Sequence, residues 1–310
     1  MRSWEHNQNQ ERQVNGMVKT AWVFPGQGSQ AIGMGSDLFA RPAAQDRLQQ
    51  AAQILGWSVP EICQSDDDKV SNTLYTQPCL YTVESLLVDE LRAQGQQPDL
   101  VAGHSLGEYV ALYAAGVFEF EAGLRLVQRR AELMSQASDG MMAALIGCDR
   151  DQLDQQLQER SDVVLANDNN AGQVVISGTP DGVNAVMAAI KSKRAIPLNV
   201  SGAFHSPMMA DAAAAFQPLL DAVTFQSATV PVLSNVDPTP TVEGAVLKDR
   251  LIRQMTGSVR WREISLQLPE EGIERVVEVG PGKVLTGLIK RTCSGIALEN
   301  VSSLADLAAE

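Results

Sequence analysis

One serine lies in a pattern that exposes a nucleophile at a sharp turn. The residues Gly103-His104-Ser105-Leu106-Gly107 match Gly-x-Ser-x-Gly and fall between a short apolar run and a segment with helical spacing. The paired glycines let the backbone turn without a Cβ clash, and the following helix N-terminus favours negative charge developing at Ser105. A helix cap is the alternative role for Ser105, but the strand–turn–helix context favours a nucleophile. The pattern alone does not separate esterases, lipases, thioesterases and acyltransferases.

A serine nucleophile needs a general base, and histidine is the first candidate. The chain has 3 histidines, of which His6 lies in a polar N-terminal stretch. The side chain of His104 should point away from Ser105, because the two are neighbours in a tight turn. His205 remains, and we predict that it takes the proton of Ser105 during attack. A structural role for His205 stays open, and so does a third, acidic partner such as Asp168.

The helical segment after this turn carries arginines in two kinds of position. At about 100° per residue, Arg125 and Arg129 fall opposite its apolar face, whereas Arg130 falls at the edge of that face. We therefore predict that Arg125 and Arg129 are solvated and that Arg130 is held at the rim of the interior. A partly desolvated guanidinium seeks a carboxylate, which it can bind through two parallel hydrogen bonds. By spacing alone, a structural salt bridge is the expected partner of Arg130.

A glycine-rich loop near the start allows two interpretations. Gly26-x-Gly28-x-x-Ala31 follows a strand-like run, Thr20–Phe24, as in a dinucleotide-binding fingerprint. However, Pro25 intrudes between strand and glycine, and an acidic residue roughly 20 positions on, Asp46, is expected by chance. The other interpretation is that the loop turns its backbone towards the nucleophile.

The apolar pattern predicts a parallel α/β sheet that positions these residues. The predicted strands are Thr20–Phe24, Leu100–Gly103, Val230–Val236 and Arg275–Val279, and the predicted helices are Ser36–Leu55, Gln77–Gln94, 106–117, Glu119–Ser135 and Pro207–Val223.

A second pattern interrupts this one. It predicts strands at Met142–Ile146, Val163–Ala166, Gln173–Ser177 and Ala195–Val200, helices at Asp151–Glu159 and Asp181–Lys193, and a polar turn at Asn167–Gly172. The order βαββαβ is typical of a ferredoxin-like unit. We therefore predict a disordered N-terminal extension (1–18), a large hydrolase-like α/β domain (19–140 and 206–310) and an inserted ferredoxin-like small subdomain (141–205). Asn169 is either a turn residue or part of the cleft lining.

The composition excludes several classes of protein. The chain has 310 residues and a net charge of −13, which argues against binding to nucleic acid or to a membrane surface. No apolar stretch approaches the roughly 18 residues of a spanning helix, and residues 1–16 do not resemble a secretory signal, so we predict a cytoplasmic protein. Cys63, Cys79, Cys148 and Cys293 form no close pair and indicate buried thiols rather than disulfides or a metal site.

Several spaced motifs occur in one order and are more specific together than singly. They are Phe24-Pro-Gly-Gln-Gly-Ser-Gln30, Gly103-His-Ser-Leu-Gly-Glu108, Gly202-Ala-Phe-His-Ser206, Gln254-Met-Thr256 with Val259-Arg-Trp261, and Glu278-Val-Gly-Pro-Gly282. Together they closely resemble the malonyl-CoA:acyl carrier protein transacylases of type II fatty acid synthesis. The resemblance runs from about Thr20 to Arg291.

The resemblance implies roles for the remaining site residues. It implies that the backbone N–H groups of Gln27 and Leu106 form the oxyanion hole, so the loop at Gly26 binds no nucleotide. It also implies that Arg130 holds the free carboxylate of a malonyl group, which reverses the expectation from spacing. Gln254 is expected near the acyl group and the histidine, whose imidazole its backbone carbonyl can orient.

The resemblance further implies a ping-pong reaction. Ser105 would take the malonyl group from malonyl-CoA as an ester, and the phosphopantetheine thiol of holo acyl carrier protein would then accept it for fatty acid chain elongation. No metal and no organic cofactor are expected. We also expect a monomer that binds neither nucleic acid nor membranes.

Docking of an acidic carrier protein on this acidic chain would need a local basic patch. The candidates are Lys191, Lys193 and Arg194, or Lys290 and Arg291, although both groups are equally typical of solvated surfaces.

Two rival functions follow from the same residues. A serine hydrolase or thioesterase would use the same turn but pass the acyl group to water. A non-catalytic nucleotide-binding module would use the loop at Gly26 and would leave Ser105 and His205 unexplained.

Overall fold

Two β-sheets organise the part of the chain that the structure describes. The structure is a computed structural model, and it describes residues 18–200 and 202–307. The predicted extension, 1–18, lies outside the described residues except for Val18, which is exposed. Within the described ranges, no helix is long and apolar enough to cross a membrane.

Strands and helices alternate through most of the described chain. The strands are β1 (Thr20–Phe24), β2 (Leu100–Gly103), β3 (Met141–Ile146), β4 (Val163–Asn170), β5 (Gln173–Gly178), β6 (Arg194–Pro197), β7 (Val232–Leu233), β8 (Arg275–Val279) and β9 (Ala297–Val301). The α-helices are α1 (Ser36–Phe39), α2 (Gln45–Leu55), α3 (Val59–Gln64), α4 (Thr73–Ala93), α5 (Gly107–Ala114), α6 (Phe120–Ser135), α7 (Arg150–Gln158), α8 (Pro180–Ala189), α9 (Ala210–Ala222), α10 (Gly244–Gln254), α11 (Trp261–Glu270), α12 (Val284–Lys290) and α13 (Leu304–Leu307).

The larger sheet is parallel and has helices on both faces. Its strand order is β7-β2-β1-β8-β9, and every neighbouring pair is parallel. Alternate residues of β1 face two cores: Trp22 and Phe24 pack with α4 and α6, whereas Ala21 and Val23 pack with α11 and α12. Buried strands rich in apolar and β-branched residues are expected in a parallel sheet that is covered on both sides.

The smaller sheet is antiparallel and confirms the predicted βαββαβ order. Its strand order is β4-β5-β3-β6, with α7 and α8 contributing to a separate core cluster. The predicted fold class, a hydrolase-like parallel sheet with an inserted ferredoxin-like unit, is confirmed.

Several predicted boundaries are wrong for local reasons. The stretch Asn167–Gly172 is not a turn throughout, because β4 continues to Asn170 by pairing with β5 across two irregular registers. The predicted helix Ser36–Leu55 is interrupted at Arg41, whose backbone is extended because a proline follows it. The predicted strand Val230–Val236 contains only the two residues of β7, which lies at the sheet edge.

Other elements were not predicted at all. They are β9 and the helices α3, α10, α11, α12 and α13. Cys63 on α3 and Cys79 on α4 form no close pair in the sequence but are neighbours in the fold, where both are buried as predicted. The neighbouring Cys63 thiol, together with burial, raises the pKa of the Cys79 thiol. Both thiols are free.

The turn after β2 packs too tightly against the loop after β1 to admit side chains at two glycines. A Cβ at Gly107 would clash with the backbone carbonyl oxygen of Phe24, and one at Gly26 would clash with the carbonyl oxygen of His104. The two segments therefore approach backbone to backbone.

We expect Gly107→Ala to destabilise the protein by about 1–3 kcal/mol, because the clashing atoms belong to the backbone and cannot move aside cheaply. Urea unfolding would measure the loss. Gly287→Ala on α12 is the control, since its Cβ would meet nothing closer than Arg291 at 4.0 Å. Equal stability of the two variants would contradict a close backbone contact at Gly107.

Candidate active site

Ser105 stands at the junction of β2 and α5 in a backbone conformation that side chains rarely adopt. Its φ is 52°, in the left-handed region. Asn235 braces this turn: its Oδ1 accepts from the Ser105 N–H at 2.7 Å, and its Nδ2 donates to the carbonyl oxygen of Gly103 at 2.6 Å. The hydroxyl is thereby held above the carboxyl end of the parallel sheet, where α/β folds place reacting groups.

The structure brings His205 to Ser105. The Ser105 Oγ lies 2.8 Å from His205 Nε2, within hydrogen-bond distance. On the other side of the ring, Nδ1 lies 3.0 Å from the carbonyl oxygen of Gln254 and 3.1 Å from that of Gly257. Because carbonyl oxygens only accept, Nδ1 carries the proton and Nε2 is left to accept from Ser105.

The environment of His205 keeps its imidazole neutral. Its side chain is buried, and its backbone, in the segment before α9, has a φ of 58° in the left-handed region. Burial, and then the nearby positive charge of Arg130, lower the pKa of His205 to about 3. A neutral imidazole is the form that can accept a proton.

Asp168 does not lie against His205. Its carboxylate forms an ion pair with Arg150, with Oδ1 3.1 Å from Nη1. The acceptors at His205 Nδ1 are backbone carbonyls instead. The arrangement is therefore a serine–histidine pair oriented by the main chain.

Arg130 is a buried cation beside this pair. It is 1% exposed, and its Nη1 donates to Gln77 Oε1 at 2.7 Å. Its Nη2 donates to Ser105 Oγ at 3.0 Å and to Gln254 Oε1 at 3.2 Å. The guanidinium also lies 5.4 Å from the ring centre of Tyr109. Among the described residues no carboxylate forms an ion pair with Arg130, so the salt bridge expected from spacing alone is not found.

The arginines of α6 differ in exposure, as their helical spacing predicts. Arg125 is exposed, and Arg129 is half-buried and pairs with Glu132 at 2.9 Å. Arg130, one position further, is the only one of these three whose side chain enters the interior.

Gln254, at the end of α10, connects several of these groups. Its Nε2 donates to the carbonyl oxygen of Ser105 at 2.8 Å and to Glu108 Oε2 at 2.7 Å. Its Oε1 faces Arg130, and its backbone carbonyl faces His205. A single residue thus contacts both the cation and the base.

The loop after β1 lies next to the turn at Ser105, as the second interpretation of this loop predicts. A Cβ at Gly26 would lie 3.5 Å from the amide nitrogen of Leu106. Within the described chain, the N–H groups of Gln27 and Leu106 donate to no protein acceptor. The side-chain Nε2 of Gln27 donates to Thr73 Oγ1 at 3.0 Å. The backbone N–H of Gln27 takes no part in this contact and remains a possible donor to a ligand.

His104 points away from Ser105, as expected for neighbours in a tight turn. Its Nε2 lies 2.9 Å from Asn169 Oδ1, and its ring packs 5.5 Å from that of Trp261. Asn169 is therefore a buried strand residue that ties β4 to the turn at Ser105. His6 lies outside the described residues.

Sequence reasoning missed three supporting residues. Asn235, Glu108 and Gln77 are buried and hold the Ser105 turn, Gln254 and Arg130 respectively. Glu108 stands inside a motif and Gln77 at the start of a predicted helix, but neither position carries a signal of its chemistry. In the part of the chain that is described, no group of three or more potential metal ligands occurs.

The lowered pKa of His205 makes the stability of the protein depend on pH. The unfolded chain takes up a proton near pH 6.5, whereas folded His205 does so only near pH 3, so this contribution to stability is lost as the pH falls between those values. The slope is about 1.4 kcal/mol per pH unit.

We therefore expect the free energy of unfolding to fall by roughly 2 kcal/mol more in the wild type than in His205→Gln between pH 6.5 and pH 5. Urea unfolding at both pH values would measure this difference, with the other titrating groups common to both proteins. An identical pH dependence in the two proteins would show that His205 is not kept neutral by the fold.

Comparison with known proteins identifies the family of this chain. The acyl transferase domain family matches residues 21–307. A malonyl CoA-acyl carrier protein transacylase of Synechocystis sp. is 60% identical over 290 residues, which cover 94% of this chain and 99% of that protein.

Solved structures agree with this match. The crystal structure of the Synechocystis malonyl-CoA:ACP transacylase has a TM-score of 0.93 at 59% identity and covers 94% of this chain and 100% of its own. A malonyl-transacylase in complex with its type II PKS acyl-carrier protein has a TM-score of 0.87 at 35% identity, covering 94% of this chain and 98% of that one. This chain belongs to the acyl transferase family, and its predicted resemblance to the malonyl-CoA:acyl carrier protein transacylases is confirmed.

Proposed function

We propose that this acyltransferase moves a malonyl group from malonyl-CoA to the phosphopantetheine thiol of an acyl carrier protein. The observation that carries the proposal is the buried Arg130, which lies beside the paired Ser105 and His205 and lacks a carboxylate partner among the described residues. A cation in that place fits an acyl group that ends in a carboxylate.

The first half-reaction acylates Ser105. Its oxygen attacks the thioester carbon as its proton passes to His205 Nε2, and the carbon–sulfur bond then breaks. His205 returns the proton to the departing thiolate, which leaves as CoA. The malonyl group remains as an ester on Ser105.

The oxyanion of each tetrahedral intermediate would accept from the N–H groups of Gln27 and Leu106. Both groups lack a protein acceptor within the described chain, and the tight approach at Gly26 brings their segments together. One such donor typically lowers the barrier by about 2.7–4 kcal/mol.

Arg130 would both select the substrate and tune the base. The malonyl carboxylate would pair with its guanidinium, whereas an acetyl group would leave the buried cation uncompensated. The charge of Arg130 also depresses the pKa of His205, so a bound carboxylate would weaken that effect and make His205 a stronger base.

In the second half-reaction, the carrier protein's thiol gives its proton to His205 and attacks the ester. The carbon–oxygen bond of the ester then breaks as the new thioester forms, and His205 returns the proton to Ser105 Oγ. These steps need only a nucleophile, a base and an oxyanion site, so we expect no metal or organic cofactor. A supply of malonyl groups for fatty acid chain elongation is the expected use.

The carrier protein is the expected macromolecular partner, and the solved complex of a relative supports it. Two basic groups are candidates for docking: Lys191, Lys193 and Arg194 on one side, and Lys290 and Arg291 on the other. We further propose a cytoplasmic monomer with no nucleic-acid or membrane partner, in keeping with the net charge of −13.

The proposed domain boundaries are 19–140 with 206–310 for the large domain and 141–205 for the small one. Ser105 and Arg130 would then belong to the large domain, and His205 would be the last residue of the small one. The two sheets and the separate core cluster of the smaller one support this division.

The proposal predicts one malonyl group on Ser105 after brief mixing with malonyl-CoA, and its loss when holo acyl carrier protein is added. Intact-protein mass spectrometry with peptide mapping would measure both steps. Ser105→Ala should take up no malonyl group, and Ser71→Ala, which removes an exposed hydroxyl, should behave as the wild type. An adduct that only water removes would favour a thioesterase, and no adduct on folded protein would refute acyl transfer through Ser105.

A further inference from the structure

A buried carboxylate lies one layer behind the site. Glu108, in the first turn of α5, is 1% exposed. Its Oε2 accepts from Gln254 Nε2 at 2.7 Å and from the backbone N–H of Asn235 at 3.2 Å. It is hydrogen-bonded to neither Ser105 nor His205, and the proposed mechanism does not use it.

We propose that Glu108 is a positioning residue that fixes the side-chain amide of Gln254 and, through it, the guanidinium of Arg130. The inference rests on the proposed function, because it concerns how the acyl-carboxylate site is kept in order.

The partners of Gln254 determine which way its amide faces. The carboxylate of Glu108 and the carbonyl of Ser105 can only accept, so both require the amide nitrogen. The amide oxygen is consequently turned to Arg130 Nη2, which can only donate. Every contact of the amide then joins a donor to an acceptor.

Without Glu108, the amide nitrogen of Gln254 would keep one of these two acceptors, the carbonyl oxygen of Ser105. A turn of the amide would set its NH₂ against the guanidinium of Arg130, and two donors repel each other. Of its two amide-oxygen acceptors, Gln77 Oε1 and Gln254 Oε1, Arg130 would then keep only the first. Its fork would then lose the orientation that a carboxylate needs, since bidentate pairing depends on geometry.

Two substitutions distinguish the role of Glu108 as a hydrogen-bond acceptor from any role of its negative charge. Glu108→Gln can retain an oxygen towards Gln254 and Asn235, while its NH₂ takes the place of Oε1, which has no hydrogen-bond partner. Glu108→Leu fills similar space but accepts nothing. Burial raises the pKa of Glu108, which is a further reason to expect the neutral amide to be tolerated.

The experiment measures the rate of Ser105 acylation by malonyl-CoA and by acetyl-CoA, as kcat/KM, in each variant. We expect Glu108→Leu to lower the malonyl-to-acetyl ratio by roughly tenfold, with the malonyl KM raised, and Glu108→Gln to stay within about twofold of the wild type. A merely structural loss would lower both rates together and leave the ratio unchanged.

Glu84→Leu is the matched control. Glu84 is another fully buried glutamate, and neither of its carboxyl oxygens has a hydrogen-bond partner. Its removal should leave the ratio as in the wild type. If Glu108→Leu does not fold, Glu108→Met takes its place, and Glu108→Gln remains informative on its own.

Three results would overturn the proposal. They are an unchanged ratio in folded Glu108→Leu or Glu108→Met, a tenfold change in Glu108→Gln, or an equal change in Glu84→Leu. Each leaves the transferase function standing as long as the wild type forms the malonyl ester. Absence of that ester in the wild type would instead refute the function on which the inference rests.

Discussion

The site depends on a positive charge, Arg130, that is buried without a carboxylate in direct contact among the described residues. Removing a guanidinium from water costs several kcal/mol unless partners compensate it. Around Arg130 the compensation comes from the amide oxygens of Gln77 and Gln254, the Ser105 hydroxyl and the face of Tyr109. These groups are dipoles or a ring quadrupole, and Glu108 lies behind Gln254 without touching the cation, so the guanidinium can still pair with an acyl carboxylate.

That charge also explains the chemistry of its neighbours. Arg130 donates a hydrogen bond to the Ser105 oxygen and, after burial, is the next cause of the lowered pKa of His205. A base oriented by backbone carbonyls brings no carboxylate into contact with Arg130. A carboxylate in their place would have competed with the substrate for Arg130. The backbone-oriented pair and the unpaired arginine are thus parts of one electrostatic arrangement.

The sequence predicted the reacting groups better than their supports. Ser105 lies in a short-range pattern, His205 was found by elimination, and Arg130 stood out by its angle on the helix, so each carried a local signal. Asn235 lies 130 residues from Ser105 in sequence and meets it only because β7 ends beside β2. Nothing in its own neighbourhood distinguishes it from a loop asparagine.

In the fold, too, elements with a local sequence signal were predicted better than elements that tertiary contacts decide. Strands with apolar, β-branched runs such as β1 and β8 were predicted with their observed bounds. The strand β9 was missed because it lies at the sheet edge and carries the polar residues Glu299 and Asn300. Asn167 and Asp168 favour turns by composition, yet β4 continues through them because the pairing with β5 decides their conformation.

The most direct test compares Ser105 acylation by malonyl-CoA and by acetyl-CoA in the wild type and in Arg130→Met. Methionine fills much of the same space without charge or donors. Because the malonyl carboxylate would lose the cation that binds it, the malonyl rate should fall by roughly 100-fold, and the acetyl rate should stay unchanged or rise. An equal fall in both rates would mean that Arg130 supports the fold of the site without recognising the acyl carboxylate, and it would contradict the role of Arg130 as the selective cation.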